Sequence, residues 1–414
     1  MASKPLGMNE ALSGLIEFLR TPSLSTTGQG IADTAAWLAA QARRYGARAE
    51  VYATAGHPVV AGEFPGGPRT ILLYGHYDVQ PPDPLALWES DPFEPVIREG
   101  KLYARGATDD KGNLWAALVA ASRRPPVTVK FIFEGEEEVG SPNLLPFLRE
   151  HRELLACDAC VLCDRGIHES GRGQIYLGNK GMIHVELRAT GPKRDVHSSQ
   201  APLLPNPAWR LVDALVRLRD WHPPLPRPTV MGIPFDPAEY MSTYGVDHLP
   251  DDPVARLLYE PTCNIQGMGA GYQGPGNKTI IPATAFAKVD IRLVPGQDLH
   301  RCAAMIAECL RGVDCSIEAT MRPYQAPANH WAVQAAVAAA RTAYGGEPVL
   351  WPHVDGSGPL GEISDTLGVP AFLIGLGSPF ATANTHAPNE NLELDAFDKG
   401  IAMMEGFFRT CAEG

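Results

Sequence analysis

No stretch of this 414-residue chain approaches the roughly 18 consecutive apolar residues that a membrane-spanning helix needs, so no membrane partner is expected. The segment Met1 to Met8 is not apolar either, and no signal peptide is expected. Positive charge is scarce: 35 Lys and Arg stand against 47 Asp and Glu, for a net charge of −12. Phosphate backbones are gripped by clustered cations, so nucleic acid is not an expected partner. A small anionic substrate needs only one or two local cations and stays open. Cysteine is sparse and mostly single, as suits reduced thiols in the cytoplasm. The run Cys157, Cys160, Cys163 lacks the fourth cysteine of an iron–sulfur motif. Residues three apart on a strand also face opposite ways, so buried thiols are expected rather than a cluster. Internal repeats and low-complexity tracts are absent.

The length exceeds what one hydrophobic core supports, and two domains are expected. Apolar periodicity predicts helices over 9–20, 34–45, 114–122 and 141–151. Short continuous apolar runs over 59–63, 70–74, 127–133 and 159–163 read as buried strands. Strands alternating with helices predict an α/β domain with a largely parallel sheet flanked by helices. After Gly178 the pattern changes. Segments 182–190, 284–293 and 315–321 read as strands, the first two alternating apolar and polar residues; 207–218 and 299–311 are helical, and 222–237 is Pro-rich and irregular. This reads as a small α+β domain over 179–323, inserted into a discontinuous domain formed by 1–178 and 324–414. The α/β pattern resumes with a helix over 332–344, a strand over 371–374 and a helix over 395–411.

Acids and histidines gather where those strands end. Ligands of parallel α/β sheets bind at the carboxyl ends of the strands. His76 and Asp78 follow one such end, Glu134 and Glu136 to Glu138 a second, and Asp164 a third, while His386 lies shortly after a fourth. Asp109 and Asp110 occupy a glycine-flanked loop just before a helix. Read singly, each has an ordinary explanation: a surface histidine, a solvated helix start, an N-cap at Asp109. Their joint arrival at one sheet edge points to a metal site. Two imidazoles with several carboxylates suit Zn, Mn or Co. So many carboxylates would repel one another without cations. Two divalent ions about 3.5–4 Å apart, bridged by a carboxylate and a water, solve that problem. The water becomes a nucleophile, and a spare carboxylate takes its proton.

Three longer segments carry a resemblance. Gly75-His76-Tyr77-Asp78-Val79-Gln80-Pro81, Arg105-Gly106-Ala107-Thr108-Asp109-Asp110-Lys111-Gly112 and Glu134-Gly135-Glu136-Glu137-Glu138-Val139-Gly140-Ser141 resemble, in order and spacing, three signatures of the M20 metallopeptidases. The resemblance implies a zinc-peptidase-like catalytic domain. In it His76, Asp109 and Asp164 hold one metal, and Asp109, Glu138 and His386 hold the other. It further implies a cis peptide bond after Asp109, Glu137 as general base acting on the metal-bridging water, and Asp78 as the acid that orients His76. Glu136 competes with Glu137 for the base's register, which Val139-Gly140-Ser141 fixes. The inserted domain resembles the family's lid, through which two copies form a homodimer. Asp195-Val196-His197-Ser198 then resembles the motif whose histidine reaches the partner's site and steadies the oxyanion. Arg292 matches an arginine that grips a substrate carboxylate, with a strand-face ion pair as its ordinary alternative. Asn264, Ser357 and Gly358 are further substrate-binding candidates, although Asp355-Gly356-Ser357-Gly358-Pro359 departs from the usual Gly-Gly-Ser.

Asp164, where deacylases of the family carry Glu, leans toward the dipeptidase branch. So do the long lid segment 221–261 and the stretch from His76 to Trp88. The expectation is a cytoplasmic homodimeric dipeptidase with two divalent ions per subunit, Zn foremost. An N-acyl amino acid deacylase is the alternative, and an inactive binding or scaffold homologue is a further one.

Overall fold

The computed structural model describes residues 7–221 and 233–413. They divide into two compact units. The first falls within 1–177, 326–351 and 362–414; the second falls within 178–325 and 352–361. The expected domain edges at 178/179 and 323/324 shift by one and two residues. A larger correction is that 352–361 clusters with the second unit. Backbone pairing explains it: Val354 N donates to Gly178 O and Lys180 N to Gly356 O, both at 2.9 Å.

The first unit is built on an eight-stranded sheet. Its strand order is Arg48–Tyr52, Val59–Phe64, Thr128–Glu134, Thr70–His76, Ala159–Leu162, Ala371–Ile374, Gln174–Tyr176 and Val349–Trp351. The four strands from Thr128 to Ile374 in that order run parallel to one another. Val59–Phe64 joins antiparallel on one side and Gln174–Tyr176 on the other, so the sheet is mixed. Its parallel centre is apolar on both faces: every residue of Ala159–Leu162 and Ala371–Ile374 is buried.

The helix Lys111–Ser122 is buried around its whole circumference. Such a helix needs apolar or small residues on every side, and its Ala-rich sequence supplies them. It packs against the central strand Thr70–His76, the first helix Met8–Leu19 and the last helix Leu394–Glu413. Trp115 packs in tilted and edge-on contacts with Phe18, Trp37 and Tyr45 and donates its indole N–H to Ala11 O at 2.8 Å. The residues just before this helix therefore start from a fixed point.

The helix expected over 141–151 begins later, at Leu144–Glu150. Gly140 and Ser141 both adopt left-handed backbone conformations, which no α-helix accommodates. The acidic run ahead of them forms a single tight turn, Glu137–Val139.

In the second unit a four-stranded antiparallel sheet, ordered Thr262–Ala270, Thr284–Leu293, Gly181–Thr190 and Asp314–Met321, packs with the helices Pro207–Arg219 and Leu299–Cys309. Its core runs through Ile183, Val185, Leu187, Val289, Ile291, Leu211 and Ile306. The edge strand Thr262–Ala270 was not expected. Residues 222–232 of the expected irregular stretch, His222 included, lie outside the described residues. Beyond them Pro237–Tyr244 and Pro253–Tyr259 are short helices. No helix among the described residues is long and apolar enough to cross a membrane.

Candidate metal centre

The site grows from the carboxyl end of the strand Thr70–His76. His76 is its last residue and is wholly buried. Its Nδ1 lies 3.0 Å from Asp78 O and 3.4 Å from Asp78 Oδ1. That side of the ring is thereby fixed, and Nε2 faces Asp109 Oδ1 at 3.2 Å and Asp164 Oδ1 at 3.9 Å. The other oxygen of Asp109 lies 2.8 Å from His386 Nε2, which is also 3.2 Å from Glu138 Oε2. Two groups that could hold a metal ion result: His76, Asp109 and Asp164, and Asp109, Glu138 and His386. Donor atoms within each lie within 4.8 Å of one another, and Asp109 belongs to both.

Electrostatics and donor chemistry fit a divalent cation. Burial opposes protonation of His76, yet its contacts with Asp109 and Asp78 outweigh that and raise its pKa well above the usual value. His386 is raised to about 10, first by Asp109 and then by Glu138. Burial alone would raise Asp109, but the two imidazoles hold its carboxyl below the ordinary range. Asp164 is pushed well up by burial and by Asp109. A field that loads both histidines with protons is one that favours bound cations. Glu138 Oε1 is buried without a hydrogen-bond partner, which suits an oxygen that would ligate a cation.

The acidic turn is tied to the histidine strand through Asp78. Its Oδ1 accepts from Glu137 N at 3.2 Å and its Oδ2 from Glu138 N at 3.1 Å. Glu136 points elsewhere, accepting from His57 N at 3.0 Å and Asn143 Nδ2 at 2.8 Å. Glu137 belongs to neither ligand group, and burial pushes its carboxyl up to about 7. Asp109 does not cap the following helix: the capping position is Asp110, whose side chain makes no capping bond. The Asp109–Asp110 peptide bond is cis.

Sequence reasoning passed over two residues at this centre. Gln80 donates from Nε2 to Glu138 Oε2 at 2.8 Å. Glu390, completely buried, accepts four hydrogen bonds from the loop that carries Asp109. Gln80 stood inside the first resembling segment as a visible clue; Glu390 lay outside all three.

The profile of Peptidase family M20/M25/M40 matches residues 72–410. The chain belongs to this family of metallopeptidases. Its sequence is 27% identical to the Cys-Gly metallodipeptidase dug1 of Schizosaccharomyces pombe, with 84% of this chain and 81% of that one covered. It is 28% identical to the human Beta-Ala-His dipeptidase, covering 86% and 78%. Among solved structures, the M20 family metallo-carboxypeptidase Sso-CP2 from Sulfolobus solfataricus superposes with a TM-score of 0.87 and 35% identity, over 98% of this chain and all of the other.

Within the second unit, three of the expected substrate residues are linked, Asn264 to Arg292 through Asp290 and Arg292 directly to Ser357. Arg292 Nη1 donates to Ser357 Oγ at 2.8 Å, and its Nε lies 3.5 Å from Asp290 Oδ2. Asn264 Nδ2 donates to Asp290 Oδ1 at 3.0 Å. Gly358 follows Ser357 in open space. His197 is exposed; its Nδ1 is engaged by Ser199 N and Oγ, at 3.2 and 2.9 Å, which leaves Nε2 as its other functional nitrogen.

Proposed function

We propose that this enzyme hydrolyses the peptide bond of unblocked dipeptides at a dinuclear divalent-metal centre, zinc foremost, with manganese or cobalt also suited to the ligand set. The observation that carries the reading is one carboxylate, Asp109, shared by two three-residue ligand groups, beside a carboxylate, Glu137, that belongs to neither. His76, Asp109 and Asp164 would hold one ion and Asp109, Glu138 and His386 the other. When bound, such ions supply Lewis acidity that activates water and polarises a carbonyl. Glu137 takes the proton of the attacking water and delivers it to the departing amine. Asp78 orients His76 and, through its two backbone hydrogen bonds, the turn that presents Glu137 and Glu138.

Arg292 is assigned to the substrate's free carboxylate. Ser357 and Asp290 hold its guanidinium, Asn264 braces Asp290, and Gly358 leaves the loop room. His197 is assigned, by family resemblance, to the oxyanion of a partner subunit's site, which makes a homodimer through the 178–325 unit part of the proposal. Exposed Ile265, Met268 and Phe286 on its edge strand and the neighbouring strand support that surface. Eight unpaired cysteines support a cytoplasmic location.

The names of the dipeptidase relatives favour dipeptides. The 35% identity to a metallo-carboxypeptidase favours a second reading, removal of one C-terminal residue from longer peptides. Hydrolysis of a panel decides, each compound with and without chelator: free dipeptides, tetrapeptides, N-acetyl and N-succinyl amino acids. Chelator-sensitive cleavage of dipeptides alone supports the first reading. Stepwise shortening of tetrapeptides supports the second. Cleavage confined to the acylated compounds would reject both in favour of a deacylase.

A further inference from the structure

Glu390 sits four residues beyond His386 and is fully buried. Its Oε2 accepts from Arg105 Nη1 at 2.7 Å and Gly106 N at 2.9 Å. Its Oε1 accepts from Thr108 N at 2.8 Å and Asp109 N at 3.0 Å. Thr108 Oγ1 donates to Asn391 O at 2.7 Å, and Ala104 N to Glu390 O at 3.1 Å. The loop 104–109 is thus sewn to the segment that also bears His386, although nearly 300 positions separate them in sequence.

Four donors on two oxygens require a carboxylate. A glutamine in its place would aim an NH2 at two N–H donors, and buried Arg105 would lose its counter-charge. Past Asp109 the chain enters the buried helix Lys111–Ser122, so Asp109 is held from the helix on one side and by Glu390 on the other. Its carboxylate must point one oxygen at His76 and the other at His386.

We propose that Glu390 is a positioning residue, clamping the backbone of Asp109 and its loop to the segment carrying His386 and so setting the geometry of both metal-ligand groups at once. The inference rests on reading Asp109 as the ligand common to both ions. It assigns Glu390 no contact with substrate. Its loss acts through the ligands, so it alters the metal centre's affinity and spectrum and not only the protein's melting temperature.

The test is a titration of metal-free wild type, Glu390→Gln and Glu390→Asp with cobalt(II), followed by visible absorption and chelator competition, with circular dichroism confirming the fold of each. Folded Glu390→Gln is expected to bind cobalt about 10–100-fold more weakly, with shifted absorption bands. Glu390→Asp keeps the charge but withdraws it by about 1.5 Å and should fall between. Wild-type affinity and bands in folded Glu390→Gln would overturn the proposal. If that variant does not fold, unchanged affinity and bands in Glu390→Asp would overturn it. A wild type that takes up fewer than two cobalt ions would bring down the ligand reading itself, and this inference with it.

Discussion

Replacing Asp78 by asparagine tests how far the centre depends on a residue outside both ligand groups. Asp78 makes three contacts: His76 Nδ1 at 3.4 Å, Glu137 N at 3.2 Å and Glu138 N at 3.1 Å. Asparagine has almost the same shape but one acceptor oxygen instead of two. If that oxygen stays on one backbone N–H, the amide nitrogen meets the other as donor against donor. Losing one hydrogen bond to a charged group costs about 1.5–3 kcal/mol. At 1.36 kcal/mol per factor of ten, that is about 10–150-fold in kcat/KM. The loss of charge beside His76 also weakens its donation to a metal, so metal affinity should fall about 10–100-fold. Steady-state kinetics at saturating zinc, with a parallel chelator competition, reads both quantities. A variant that stays within twofold of wild type in each would refute the argument that Asp78 organises the histidine and the acidic turn together.

Three further outcomes follow from the same geometry. Glu137→Gln should retain both metals and the fold while kcat drops about 10²–10⁴-fold, measured by turnover and metal content together, because an amide cannot accept the water's proton. His197→Ala should lower kcat about 10²–10³-fold with little change in KM, and near-normal kcat would remove it from the oxyanion role. Arg292→Met should raise KM for a free dipeptide by about 10–150-fold, the loss of a charge-assisted pair. The same change should leave a C-terminally amidated dipeptide nearly unaffected, and equal losses on both would point to a structural ion pair with Asp290 instead.

The parts legible in the sequence are those whose signal is local. His76 and Asp78 stand at the end of an apolar run, and the Glu136–Glu138 cluster follows another, so strand-end logic singles them out as candidates without any knowledge of the fold. The helix after Asp110 was legible from its alanines. Glu390 was not, because its importance lies in a loop that reaches it from the far end of the chain, and a buried carboxylate looks like any other glutamate in a sequence. Gln80 escaped for a related reason: its partner Glu138 is distant in sequence and close only in space. The edge strand Thr262–Ala270 lacks clean alternation, since a bulge interrupts its pairing between Ile265 and Gly267 and most of its side chains are exposed or half-buried. Segment 352–361 carries no periodicity that reveals which unit it pairs with; only the hydrogen bonds to Gly178 and Lys180 do.

Two cations, held through one shared carboxylate, are proposed to make this chain a peptidase. Metal content and dipeptide hydrolysis measured on the same chelated and reconstituted sample test that role most directly. Two equivalents of metal per chain, no hydrolysis in the chelated protein, and recovery that tracks the added metal are expected. A fully active protein with no metal, or one that binds a single equivalent and remains fully active when Asp109 is replaced by alanine, would contradict that role.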